Sequence, residues 1–341
     1  MRFEYYHEAL ADVPKLSVDG IVPNSIHLSH WQGNSTHAAL KADTSTEIAL
    51  HLAAAPERVR AELTKGIELV TNNHFDTDGV LSVWTVLNPE CALDLRAALV
   101  AAAEAGDFSE YTTPQAIRAS LIIQGSDAPV PDAGLVAPLA RQLNGGAGVD
   151  EARAYQLVLP EVERILTHTD EYESLWRAAW TEIERALESF ARGSSRVAED
   201  ERAHLSVITL APELYGAHGF KPTRHAAPYT AIARHARGQI FLIAIPMQDG
   251  FAYRLDYPYY SWADTIVRPR IARRDLTPLI ARLNELERDQ RTRWHADTSE
   301  LTSAVKSFGT DGLLRASRLA PDEVATELRL ALREQTVAHV S

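Results

Sequence analysis

The sequence predicts an α/β protein, with a parallel-sheet N-terminal domain flanked by helices and a smaller α+β C-terminal domain. Three observations carry this. A chain of 341 residues exceeds one typical core, so two domains are expected. The N-terminal half alternates short apolar runs with helical segments, and Ile67, Leu69 and Val70 form a buried strand that empties into a polar loop before the apolar segment VLSVWTVL. After Gly193-Ser194-Ser195 the character changes to β-rich, which puts the domain limits at 1–195 and 196–341.

Taken in order, Ser25 to Asn34 begins as a short strand and breaks at Gln32-Gly33, with His27 and His30 near its end. Thr44 and Glu47 have capping-box spacing ahead of IALHLAAA, and Asp43 just precedes that helix start. Pro56 opens a further helix to about Lys65. Asn88-Pro89 opens an alanine-rich helix expected to stop at Gly106, with Asp107 in the turn directly after it. Cys91 falls in that pattern as a core residue, and a single cysteine forbids an intrachain disulfide. Thr113-Pro114 starts another helix, and Gly125 to Gly148, rich in Gly, Pro, Ala and Asp, looks like a lid-like excursion. A helix from Asp150 is interrupted at Pro160 and resumes to His168. Asp170 and Glu173 then open the longest helix, whose Trp176, Trp180, Ile183, Leu187 and Phe190 recur at three and four residues and so face the core.

In the C-terminal half, Leu205 to Leu210, Gln239 to Pro246 and Phe251 to Tyr257 are strands, the last two joined as a hairpin through Gln248-Asp249-Gly250. The loop HGFKPTRHAAPYTAI carries His218, Lys221, Arg224 and His225. A second basic cluster, Arg268, Arg270, Arg273 and Arg274, comes after the aromatic run YPYYSWAD. In an acidic chain such clusters can receive an anionic ligand, and Lys221, Arg224, His225 and Arg268 are the candidate substrate contacts. A helix to about Glu287, an edge strand with a short helix in TRWHADTSELTSAVKSFG, and an amphipathic helix from Asp322 to Val337 complete the chain.

The chemistry is placed in IELVTNNHFDTDG. His74, Asp76 and Asp78 alternate, so an extended backbone would point all three to one side. An imidazole with two carboxylates is a ligand set for Mn²⁺, Mg²⁺ or Zn²⁺. An EF-hand is excluded, because the twelfth position counted from His74 is Thr85 and not a bidentate Glu. The competing reading is that Asp76 and Asp78 only cap the next helix. Three side chains leave a cation short of ligands, and His27, His30, Asp107 and His168 are the candidates to complete the set, Asp107 and His30 foremost.

HFDTDGVLSVW resembles the first motif of the DHH phosphoesterases: a histidine, two alternating aspartates, a glycine and a small residue in the next helix. The resemblance implies a parallel-sheet domain, a pair of Mn²⁺ ions and hydrolysis of a phosphate ester or phosphoanhydride, with His74, Asp76 and Asp78 as catalytic metal ligands. It covers this stretch alone. No Asp-His-His triplet and no Gly-Gly-Gly-His segment occurs.

A net charge of −12 argues against general nucleic-acid binding. No apolar run approaches a membrane span and the N-terminus lacks a signal-peptide core, so a cytoplasmic protein is expected, alone or as a homo-oligomer. The expected function is metal-dependent hydrolysis of a small phosphate ester or nucleotide at a dinuclear Mn/Mg site. Two alternatives stand beside it: metal-dependent chemistry on a non-phosphate substrate, and a non-catalytic ligand-binding protein.

Overall fold

The computed structural model describes residues 1–125, 139, 150–215, 228–297, 302–309 and 315–338. The chain divides into two compact units: residues 1–127, 131–181 and 262–270 form the first, and 128–130, 182–261 and 271–341 the second. The division falls inside the helix Glu173–Ala191, ahead of the Gly193 stop, and the segment 262–270 returns to the first unit. Arg268 and Arg270 therefore belong with the N-terminal residues and not with the β-rich part. Lys221, Arg224, His225 and His218 lie outside the described residues, as does the excursion after Gly125 apart from Leu139.

The first unit is built on a four-stranded sheet in the order β1-β4-β2-β3, formed by Arg2–Phe3 (β1), Lys15–Val18 (β2), Ser25–Leu28 (β3) and Leu69–Thr71 (β4). Every pairing is parallel, with Phe3 beside Val70, Leu16 beside Val70 and Val18 beside Leu28. The carboxyl ends of β2, β3 and β4 consequently lie at one edge, where parallel sheets build ligand sites. Leu16, Val18, Leu28, Leu69 and Val70 are all buried, as strands covered on both faces must be.

The helices of this unit include Ser45–Ala54 (α1), Glu57–Leu63 (α2), Thr77–Leu87 (α3), Pro89–Asp94 (α4), Arg96–Asp107 (α5) and Pro114–Ile123 (α6), and a capping side chain or a proline starts each of them except α5. Thr44 caps α1 by accepting a hydrogen bond from Glu47 N at 3.2 Å, and Thr113 caps α6 through Ala116 N at 3.1 Å. Val80, Leu81, Val83, Leu99, Ile122 and Ile123 are fully or almost fully buried, each contributing about 1.5–3 kcal/mol of apolar transfer. Cys91 is half-buried, not core. The single alanine-rich helix expected from Pro89 is two helices that break at Leu95, and the second runs through Gly106 to end on Asp107. Arg118 lies over the rings of Trp176 and Trp180, at 4.4 and 4.7 Å, so the tryptophan stripe of the long helix packs as the periodicity predicts.

Gly106 is required for close approach rather than for stopping the helix. A Cβ there would fall 2.4 Å from Thr77 Cβ and 2.9 Å from Ser120 Oγ. The missing side chain lets the end of α5 press against the first turn of α3.

The second unit carries a six-stranded mixed sheet in the order β5-β6-β7-β8-β10-β9. Its strands are Arg196–Asp200 (β5), Leu205–Thr209 (β6), Ile240–Met247 (β7), Gly250–Asp256 (β8), Thr292–Ala296 (β9) and Ser303–Gly309 (β10). β6 and β7 are parallel and the other neighbours antiparallel. The hairpin at Gln248-Asp249 is as predicted, with Met247 beside Gly250. The described residues of TRWHADTSELTSAVKSFG form two paired strands, with Trp294 opposite Ser307. One sheet face packs Leu242, Leu255 and Val305 against Leu279, Leu283, Val324 and Leu328; the other packs Ile208, Phe241 and Ile243 against Ala186, Ala231 and Ile232. No helix among the described residues is long and apolar enough to cross a membrane.

Gly106→Ala is expected to lower stability by about 1–3 kcal/mol, because the added methyl meets Thr77 and Ser120 in a filled interior. Urea unfolding of the variant beside wild type measures this, and equal midpoints would refute the close-packing role.

Candidate metal centre

Each strand at the shared edge delivers one functional side chain within three residues of its end. Asp19 comes directly after β2, in the left-handed region at φ 45° that Asp tolerates better than most residues, and this turns the chain back towards β3. His30 stands two residues after β3 and His74 three after β4. The His74 loop is pinned from outside: Tyr5 Oη donates to Asn73 O at 2.8 Å, Tyr155 Oη to His74 O at 3.0 Å, and His74 N to Asn72 Oδ1 at 2.8 Å.

Asp76 and Asp78 do not sit on an extended backbone. Asp76 is the N-cap of α3 and accepts a hydrogen bond from Gly79 N on Oδ1 at 2.7 Å, while its Oδ2 lies 3.1 Å from His74 Nε2. Asp78 lies in the first turn of α3 yet caps a different helix, accepting from Ser45 N at 2.7 Å and Thr46 N at 2.8 Å at the start of α1. The strand–cap–helix path, not strand alternation, brings these carboxylates together.

The result is one cluster of four carboxylates and two imidazoles. His30 Nε2 lies 3.2 Å from Asp19 Oδ1, 3.3 Å from Asp107 Oδ2 and 3.8 Å from Asp78 Oδ2; His74 Nε2 lies 3.2 Å from Asp19 Oδ2. Two sets of side chains could each hold a cation, Asp19–His74–Asp76 and Asp19–His30–Asp78, and they share Asp19. Asp107 borders the second set through His30. Asp19 Oδ2, His30 Nε2 and Asp107 Oδ2 are buried and make no hydrogen bond. Polar atoms left so in an interior are costly unless something else engages them.

His30 Nδ1 lies 2.5 Å from the carbonyl of Asp43, which fixes that nitrogen as the donor and aims Nε2 at the carboxylates. Burial alone would lower the His30 pKa, but the charges of Asp107 and Asp19 raise it to about 10. Burial likewise opposes protonation of His74, and Asp76 and Asp19 outweigh it, holding that imidazole well above its usual range. Desolvation and the neighbouring Asp19 charge push Asp78 up to about 7, and burial pushes Asp107 well above the carboxylate range against the pull of His30. For Asp19, burial is overcome by the two imidazoles and the pKa falls below the usual range. A set this rich in acid, with imidazole nitrogens and carboxylate oxygens convergent and three of those atoms without a hydrogen bond, fits a hard or borderline divalent cation.

His74, Asp76, Asp78, Asp107 and His30 are thus brought together, and Asp19 is the member that sequence reasoning missed. Its signal was an Asp-Gly pair closing the apolar run Leu16 to Val18. His27 lies away from the cluster, its Nδ1 accepting from Ser35 N at 2.9 Å, and His168 pairs with Thr167 at 2.8 Å.

Among the described residues Arg268 pairs with carboxylates of the same unit: Asp43 at 2.8 Å, Glu104 at 2.8 Å and Glu110 at 2.6 Å. Asp43 also accepts from the backbone N–H groups of Ile266, Val267 and Arg268, so its role goes beyond starting α1. The segment 262–270 further places Trp262 edge-on to the His30 ring, centroids 5.0 Å apart, and donates Asp264 N to His30 O at 2.7 Å. Glu104 and Glu110 flank Asp107, and Asp43 flanks the His30 contact. Arg268 therefore braces the two sides of the cluster against each other.

Over residues 1–339 the chain matches the profile of a family described as "Family of unknown function (DUF6687)". No curated protein matches it. Among solved structures it is similar to a pGpG-specific phosphodiesterase, PggH, from Vibrio cholerae, at 8% identity and a TM-score of 0.39, over 93% of this chain and 85% of that one.

Arg268→Met is expected to cost about 2–4 kcal/mol, since it strands three partly buried carboxylates. The backbone and Arg268 hydrogen bonds outweigh burial and hold the Asp43 pKa below its ordinary value. That contribution is present above the unfolded pKa of about 3.9 and lost as the pH falls through the folded value. The gap between variant and wild type in urea unfolding should be full at neutral pH and narrow in acid; a gap that widens in acid would refute the brace.

Proposed function

The chain belongs to DUF6687, a family of unknown function, and on the chemistry of its own residues we propose that it is a metal-dependent hydrolase of the phosphoesterase class. It would act on a small phosphate ester or nucleotide, with two divalent cations, Mn²⁺ or Mg²⁺, held in the cluster. The observation that carries the reading is the convergence of Asp19 Oδ2, His30 Nε2 and Asp107 Oδ2, buried and without hydrogen bonds, in one acidic cluster. The sequence HFDTDG at 74–79, resembling the first DHH motif, supports phosphate as the substrate group.

When bound, such cations supply electrophilic stabilisation of charge on the attacked group and lower the pKa of a coordinated water. His74 and Asp76 would hold one cation and His30, Asp78 and Asp107 the other. Asp19 faces His30 with one oxygen and His74 with the other, the disposition of a shared ligand. Backbone amides fix the rotamers of Asp76 and Asp78 in advance, and the Asp43 carbonyl fixes the His30 tautomer.

Protein purified without chelator is expected to contain about two divalent cations per chain and to hydrolyse bis(p-nitrophenyl) phosphate, both lost on chelation. Asp19→Asn should remove both cations while leaving a cooperatively folded protein, and Asp78→Asn should empty the second position in preference to the first. Elemental analysis decides: wild-type metal content in Asp19→Asn would sink the assignment, and metal without phosphoester turnover would leave the centre but reject the reaction class.

A further inference from the structure

We propose that the second unit contains a separate binding site for a phosphate-type oxyanion, in the concavity ringed by Arg202, Arg274 and Arg333. The cavity measures about 50 Å³, and Tyr257, Ile240 and Leu332, all buried, contribute to its lining. That is room for a small group.

In the same unit Arg254, Arg282, Arg288, Arg291, Arg318 and Arg329 each lie within 4 Å of a carboxylate. Like Arg196, Arg237 and Arg293, the arginines at 202, 274 and 333 have no such partner among the described residues, although the chain carries 46 acidic residues against 34 basic ones. What sets these three apart is that all of them line one cavity, with no acidic residue among the described residues of its lining. Three basic residues lining one cavity without an acid make it locally positive. An oxyanion offers oxygens in the fork geometry that guanidinium donors match.

The site is also held in place. Arg274 N donates to Tyr257 Oη at 2.9 Å, and the neighbouring Arg273 lies over the Tyr257 ring at 4.2 Å. Backbone donation from Gln239 to His204 O at 2.7 Å ties the start of β7 to the turn that carries Arg202. Arg202 and Arg333 are exposed and Arg274 half-buried, so an anion can reach them and their replacement leaves the core intact.

The test uses the full chain stripped of metal by chelation, so that the acidic cluster cannot hold an anion through a cation. Inorganic phosphate is titrated by calorimetry, with phenyl phosphate and acetate as parallel probes and chloride matching the ionic strength. Saturable phosphate binding is expected, weakened about tenfold or more by Arg274→Met or Arg333→Met, abolished by the triple methionine variant with Arg202→Met, and unchanged by Asp19→Asn. Equal binding of phosphate and phenyl phosphate would mark free phosphate as sufficient; preference for the ester would mark the phosphate of a larger ligand. Absence of saturable binding at millimolar phosphate, equal affinity in the triple variant, or binding of acetate in preference to phosphate would each overturn the proposal.

Discussion

The carboxylate of Asp78, bonded to the amides of Ser45 and Thr46, is the interaction on which the first unit's site depends. It belongs to the first turn of α3 and satisfies the first turn of α1, so both helix N-termini are drawn to one point beyond the sheet edge. Charge-assisted bonds to amides are each worth about 1.5–3 kcal/mol, and here they are fully buried. The anchor acts by position. The residue that precedes the α1 cap is Asp43, whose carbonyl orients His30 and whose carboxylate receives the returning segment 266–268. Through Arg268 the same residue reaches Glu104 and Glu110 on either side of Asp107.

A cluster with four carboxylates and two imidazoles carries more negative than positive charge even with both imidazoles protonated. Burying such a set costs several kcal/mol per unpaired ion. The protein's own answer is to retain protons, which is why Asp78 rises to about 7 and His30 to about 10. A bound divalent cation would supply the same neutralisation without protons, and Asp19 Oδ2 and Asp107 Oδ2, buried and without hydrogen bonds, are the atoms left to meet it. On the proposed reading, cation and protons would compete for one charge deficit.

HFDTDG was legible because chemistry and chain direction coincide there: a strand ends, and three ligand-type side chains follow on the loop, the cap and the first turn of the next helix. The two-unit α/β architecture was legible from the same alternation, His30 from its place after a strand, and Asp107 from its place at the end of a helix, although that helix runs one residue further than expected and includes it. Asp19 was not. A four-residue strand that runs into Asp-Gly reads as an ordinary turn, and only the parallel pairing of Leu16 with Val70 sets that turn beside His74. Arg268 misled for a related reason. Its sequence neighbours are aromatic and basic, whereas its partners lie 158 to 225 positions away.

Capping and metal ligation looked like rival explanations for Asp76 and Asp78, and the geometry removes the rivalry. A carboxylate has about four lone-pair sites, and an amide occupies one of them. Asp76 spends one oxygen on Gly79 N and turns the other to His74. Asp78 accepts one amide on each oxygen, which leaves a further lone pair on both and locks its rotamer. A helix N-terminus also favours the ionised carboxylate, the form that ligation needs, and so opposes the burial and the Asp19 charge that lift Asp78. The cap therefore supplies the preorganisation a buried cation requires, so helix-start chemistry at this sheet edge supports the metal reading instead of arguing against it.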